Sequence, residues 1–158
     1  MAGLMAKNAI ERNAIGIITS MPELEERFVE ISVKRLGIEP ERIQMERLED
    51  GKRLVYFYDS RLWKELANMV DRELVIFKSR DEISAMYVAG IFDACAASAR
   101  GHLFMNRLSN KDLVMLQNLG IHVIGNKIMN VSSLVTLISN YSVLLEIIHR
   151  PGNERDPH

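Results

Sequence analysis

The sequence predicts an α+β fold made of two related halves, the second shorter than the first. Three observations carry this. Segments with strand-like alternation and segments with helical apolar spacing follow one another along the whole chain. Four short matches recur in the same order in both halves: Ala2-Gly3-Leu4-Met5 with Ala89-Gly90-Ile91-Phe92, Ile15–Ser20 with His102–Arg107, Leu36-Gly37-Ile38 with Leu119-Gly120-Ile121, and Ser60-Arg61-Leu62 with Ser132-Ser133-Leu134. The offsets are 87, 87, 83 and 72, so the second copy has lost residues only in loop and hairpin regions. No single match is specific; four in order point to duplication of one unit. Each half reads as helix, strand, helix, strand or hairpin, helix.

The elements follow in order. Asn13–Thr19 (NAIGIIT) is β-rich. Ser20 and Glu23 have the spacing of a capping box, Pro22 suits a first helical turn, and Leu24, Phe28, Ile31 and Leu36 recur on one helical face, with Ser32 a polar exception. Gly37 ends that helix. Arg42–Glu49 alternates like a half-buried strand, Asp50-Gly51 is a hairpin turn signal, and Arg53–Tyr58 is the returning strand. Asp59 or Ser60 caps a helix to about Val70. Glu73–Phe77 is short and apolar, a strand or an extended linker. Ser79 with Glu82 repeats the capping-box spacing and opens a helix from about Arg80 to Ala97.

Gly101–Met105 reads as a strand. Ser109 or Asn110 caps a helix that ends at Gly120. Ile121–Asn130 is one strand or a tight hairpin around Gly125-Asn126. Ser132 or Ser133 opens a last helix to about His149, and Pro151 stops it. The resulting division is 1–77 for the first half, 78–150 for the second and 151–158 for a flexible tail. Met45, Met105, Met115 and Met129 are expected as core or interface filler.

The composition is that of an ordinary globular chain: 158 residues, 47% hydrophobic and 26% charged. No apolar run reaches the length of roughly 18 residues that a membrane span needs. No signal-peptide pattern opens the chain, and the expectation is a cytoplasmic protein without a membrane partner. The single cysteine excludes an intrachain disulfide and a Cys-rich zinc site. The net charge of −1 counts against a dedicated nucleic-acid binder, although a local basic stripe is compatible with it. No Walker loop, dinucleotide-binding glycine pattern or zinc spacing is present.

The stretch Tyr87-Val88-Ala89-Gly90-Ile91-Phe92-Asp93-Ala94-Cys95-Ala96-Ala97 resembles the Leu-Ala-Gly-Leu-Ile-Asp-Ala-Asp-Gly motif of the LAGLIDADG homing endonucleases, in their two-motif, monomeric form. Met1–Ala9 is a fainter copy, with roughly two turns fewer ahead of its Ala-Gly pair. The resemblance spans about residues 1–149 and implies two αββαββα-like halves related by a pseudo-twofold axis. It implies that the motif helices pack together through the small residues Ala2, Gly3, Ala89, Gly90, Asp93 and Ala94. The family's metal-binding acids fall on Asn8 and Cys95, a neutral amide and a soft thiol that suit Mg²⁺ poorly. Asp93 matches the first acid of the motif, on the packing side, where a helix-capping or inter-helix hydrogen bond is the expected role.

Three functions compete. One is a homing-endonuclease-like protein without catalysis, needing no cofactor, that contacts double-stranded DNA through Arg42, Arg47, Arg53, Arg100, Arg107 and Lys127. Another is a protein-interaction or self-association module without nucleic acid. The third is a Mg²⁺-dependent endonuclease that uses other carboxylates, such as Glu11 or Asp93. Glu11, Arg12, Arg100 and His102 lie just after the motifs, but His102 has no cysteine or carboxylate at metal-ligand spacing, His122 and His149 are similarly isolated, and surface or interface positions are expected for the histidines.

Overall fold

A computed structural model describes Met1 and residues 13–148. The N-terminal motif copy and the tail lie outside the described residues, so Ala2, Gly3, Asn8, Glu11 and Arg12 are not placed.

The first half opens with strand β1 (Ala14–Thr19). Helix α1 (Pro22–Glu30) follows, with proline in its first turn and Leu24 and Phe28 on its buried face. It continues into one π-helical turn, Ile31–Arg35, where the Leu36 N–H donates to the Ile31 carbonyl at 3.1 Å. Ser32 is fully buried there because its hydroxyl donates to the Phe28 carbonyl, 2.8 Å away. Gly37 stops the helix at φ +68°, a left-handed conformation that glycine adopts without a Cβ clash.

Strands β2 (Gln44–Arg47) and β3 (Arg53–Tyr58) form the expected hairpin, in register Arg47 opposite Arg53. β2 is wholly exposed rather than half-buried. It is the edge of a sheet ordered β1-β3-β2, and its one apolar residue, Met45, borders an open cleft of about 850 Å³ between α1 and residues 139–147. Helix α2 (Ser60–Asp71) is capped by Asp59, whose carboxylate accepts the Leu62 N–H at 2.9 Å. Glu73–Ile76 forms a one-turn helix, α3, and not a strand or linker. Among the described residues no strand pairs with it, and its backbone bonds locally, as in the 2.8 Å bond from Phe77 N–H to the Glu73 carbonyl.

The second half begins with α4 (Glu82–Cys95). Its N-cap is Asp81, not the expected Ser79; the Ser79 hydroxyl instead donates to the Asp81 carboxylate at 2.6 Å. α4 ends at Cys95, two residues before the expected Ala97. Ala96–Ala99 leave it as strand β4 and pair with β5 (His102–Met105) across Arg100-Gly101, both at positive φ. Two left-handed residues make the two-residue turn that matches strand twist, which turns the chain into a hairpin. Helix α5 (Asn110–Asn118) carries a complete capping box between Ser109 and Asp112. β6 (Val123–Ile124) and β7 (Lys127–Ile128) form the hairpin around Gly125-Asn126. The last helix is divided into α6 (Val131–Ile138) and α7 (Val143–Ile148), where one helix was expected.

The second sheet is ordered β4-β5-β7-β6. Without the added β4, its strand order repeats that of the first sheet: lone strand, returning hairpin arm, edge arm. One buried cluster runs from Ile15 to Leu145 and takes residues from both halves. On the first sheet, Ile15, Ile17, Val55 and Phe57 face the helices, with Phe28 and Phe57 ring centroids 6.1 Å apart. On the second, Leu103, Met105 and Ile128 do so. Met105 and Met115 are fully buried filler, whereas Met45 and Met129 are half exposed.

Candidate nucleic-acid interface

The motif helix α4 is buried along most of its length, as its apolar and small residues require; Ala89 and Gly90 are both buried. Cys95 closes the helix, and its thiol donates to the Ile91 carbonyl of the same helix at 2.9 Å. Next to it, the Arg107 guanidinium donates to the Ala94 carbonyl at 2.8 Å and the Asn106 N–H to the Cys95 carbonyl at 2.9 Å. These donors satisfy carbonyls left open at the end of the helix, and positive charge suits that end of its dipole.

Asp93 points away from that end. Its carboxylate accepts the Ser142 hydroxyl at 2.5 Å and the N–H groups of Val143 and Leu144 at 2.9 and 3.0 Å. It caps α7, in keeping with a hydrogen-bonding role. Burial raises its pKa, and the three hydrogen bonds only partly oppose this. Among the described residues, no group of three or more His, Cys, Asp or Glu side chains is arranged to hold a metal ion.

Strand pairing sorts the basic residues by face. Arg47 and Arg53 sit opposite one another, in line with Val55 and Phe57, on the helix-covered side of the first sheet. The Arg53 guanidinium lies 2.9 Å from the Glu25 carboxylate of α1. The open side of that sheet carries Gln44, Glu46, Tyr56 and Tyr58, and the Tyr56 hydroxyl donates to Glu46 at 2.6 Å. Arg42 lies before β2 and donates to the Tyr58 carbonyl at 2.8 Å, bordering a shallow basin with Asn13, Ser60 and Arg61. A single basic stripe across the first sheet is therefore not what these positions form.

The second sheet differs. Phe104 pairs with Ala97 on one side and Lys127 on the other, so these three share a face with His102, Ala99 and Ile124. That face points away from the buried Leu103, Met105 and Ile128. The Lys127 ammonium lies 3.4 Å from His102 Nε2, and the His102 and Phe104 rings meet edge to face at 6.4 Å. Arg100 stands in the turn at its edge, at φ +50°. The histidine is at the surface as expected; Phe104 was not foreseen as part of a site, although the alternation His102-Leu103-Phe104-Met105 places it with His102.

No family model matches the chain, and no curated protein matches it. Solved structures do. A variant of the homing endonuclease I-DmoI in complex with its target DNA and manganese matches at TM-score 0.61 and 13% identity, over 88% of this chain and 91% of that one. Mesophilic variants of I-DmoI match at TM-score 0.61 and 14% identity, over 87% of each chain. I-DmoI with DNA and calcium matches at TM-score 0.56 and 13% identity, over 89% of this chain and 87% of that one. The architecture described above, two antiparallel sheets under a shared layer of helices, is the homing-endonuclease fold.

Proposed function

We propose that the protein is a homing-endonuclease-like DNA-binding protein that does not cleave phosphodiester bonds. The observation that carries the second part is Cys95: a buried thiol bonded into its own helix at the position where the resemblance puts a metal-binding acid. A hard divalent ion needs oxygen ligands. Asp93, the nearest acid in the motif, is engaged in capping α7. Asn8, at the other motif position, would offer a neutral oxygen.

The DNA-binding part is supported by the fold, since the structures it matches include I-DmoI bound to DNA. It is also supported by Lys127, His102 and Arg100 on or beside one open sheet face. The repeated strand order favours an origin by duplication, after which the two sheets diverged in charge. The first sheet now contributes tyrosines and Glu46, so contact with DNA would be uneven between the halves.

Two measurements on the purified chain test this. Duplex binding is expected to be weak and to weaken steeply with salt; about three neutralised phosphates give a slope of log affinity on log salt near −3. Supercoiled plasmid with Mg²⁺ or Mn²⁺ is expected to remain uncut. Chelator-sensitive nicking would overturn the non-cleaving reading and favour an endonuclease built on other carboxylates. Absence of duplex binding even at low salt would favour the protein-interaction module.

A further inference from the structure

We infer that the open face of the second sheet is a platform for unpaired bases, so that this half binds single-stranded DNA in preference to duplex. The choice of DNA rests on the reading above; the preference for unpaired bases rests on the face itself.

Phe104 stands in the middle of an open sheet face, half-buried, with Ala97 directly across on one neighbouring strand and Lys127 directly across on the other. An alanine there leaves one flank of the ring uncovered. His102 lies two residues along the same strand, exposed, and faces Ala99, again a small partner. Two rings therefore emerge from a floor of alanines. Ile124, 69% exposed and paired with Lys127, extends the apolar floor. Phe104 is only partly buried, its ring meets that of His102 edge to face, and water solvates the remaining aromatic surface poorly.

The charges complement a polyanion. Lys127 and His102 lie beside the rings, Arg100 sits at the edge, and none of the described residues pointing from this face is acidic. A duplex would use only the cations, because its bases are stacked on one another and present edges, not faces. A single strand can place a base on each ring while its phosphates meet Lys127 and Arg100. The open face of the first sheet differs in carrying an acid among its rings, the Glu46 carboxylate that accepts the Tyr56 hydroxyl.

The test is fluorescence anisotropy at one salt concentration with three dye-labelled probes: an oligodeoxythymidylate of about 20 nucleotides, a blunt duplex of the same length and an oligouridylate. The oligodeoxythymidylate is expected to bind more tightly than the duplex. Phe104→Leu, which keeps an apolar side chain but removes the flat ring, is expected to weaken single-strand binding about tenfold or more and duplex binding by much less. Phe104→Tyr is expected to retain it. A thermal melt of each variant separates loss of stacking from loss of fold. Duplex binding without single-strand binding would overturn the platform and leave the DNA-binding reading standing; so would equal affinity of Phe104→Leu and the parent for the single strand. Preferential binding of the oligouridylate would overturn the assignment to DNA, and binding of none of the probes would overturn both readings.

Discussion

Asp93 and Ser142, 49 positions apart in sequence, are joined by a 2.5 Å hydrogen bond that divides the last helix in two. The same carboxylate holds the first N–H groups of α7. Asp93→Asn keeps the shape but halves the acceptor capacity. The expected loss is about 1–3 kcal/mol in urea unfolding. The pH dependence has a definite sign. Burial puts the folded pKa above that of the unfolded chain, so the folded form binds the extra proton. The stability contributed by Asp93 is full below the ordinary aspartate value near ~4 and declines as pH rises through the higher folded value. The gap between parent and Asp93→Asn is therefore expected to be wider just above pH ~4 than at neutrality; a gap that grows with pH would contradict this.

Tyr87 links α4 to α3 through a buried bond from its hydroxyl to the Glu73 carboxylate, 2.8 Å long. Its ring stacks on Phe77 at 3.8 Å between centroids. Burial, and then the hydrogen bond to Glu73, push the phenol pKa up, so it remains a donor across the usable pH range. Tyr87→Phe keeps the stack and deprives a buried carboxylate of one donor, at a cost of about 1–3 kcal/mol. Tyr87→Phe combined with Glu73→Gln should lose less than the sum of the two single changes. Additive losses in the double-mutant cycle would mean that the bond contributes nothing.

Cys95 is 6% exposed and its surroundings satisfy a thiol, not a charge. Cys95→Asp is expected to destabilise the fold by roughly 2–4 kcal/mol, since it places a carboxylate in a buried site that holds a neutral thiol bonded to its own helix. Mg²⁺ is not expected to restore the loss, because one acid alone completes no octahedral site. Unchanged unfolding, or recovery on adding Mg²⁺, would show that the position can serve a metal after all.

Gly90 is buried between Ala89 and Ile91, themselves at 1% and 0% exposure. Gly90→Leu is expected to cost about 1–3 kcal/mol or more by overpacking. Differential scanning calorimetry would register this as a lower melting temperature. An unaltered melt would argue against a close approach of another backbone to this side of α4.

Charge reversal separates the two sheets. Lys127→Glu is expected to weaken duplex binding and flatten its salt dependence by roughly one unit of slope. Arg53→Glu is expected to have little effect on binding, because Arg53 already meets Glu25 on the helix-covered side. It should instead cost stability by setting two carboxylates against each other. Equal losses of affinity from both reversals would place DNA on the wrong face of the first sheet.

The sequence by itself determined the elements whose signals are local. Asp59 and Ser109 cap their helices because a short oxygen-bearing side chain reaches the N–H three residues on, whatever lies around it. The Asp50-Gly51 and Gly125-Asn126 turns needed only residues tolerant of positive φ. The motif stretch foretold a buried helix with small residues because its composition allows little else. The tertiary structure decided what depends on partners distant in sequence. α4 yields to β4 after Cys95 because Leu103 and Phe104 offer Ser98 and Ala97 a ladder, a choice that alanine's helix preference conceals. The last helix breaks because Asp93 reaches across to cap its second part. Arg53 and Lys127 are alike as cations in strands, yet strand register gives one to an α1 carboxylate and the other to an open face. Side-chain direction in a strand alternates with a period of two, so only pairing with a neighbour of known burial fixes which residues reach solvent.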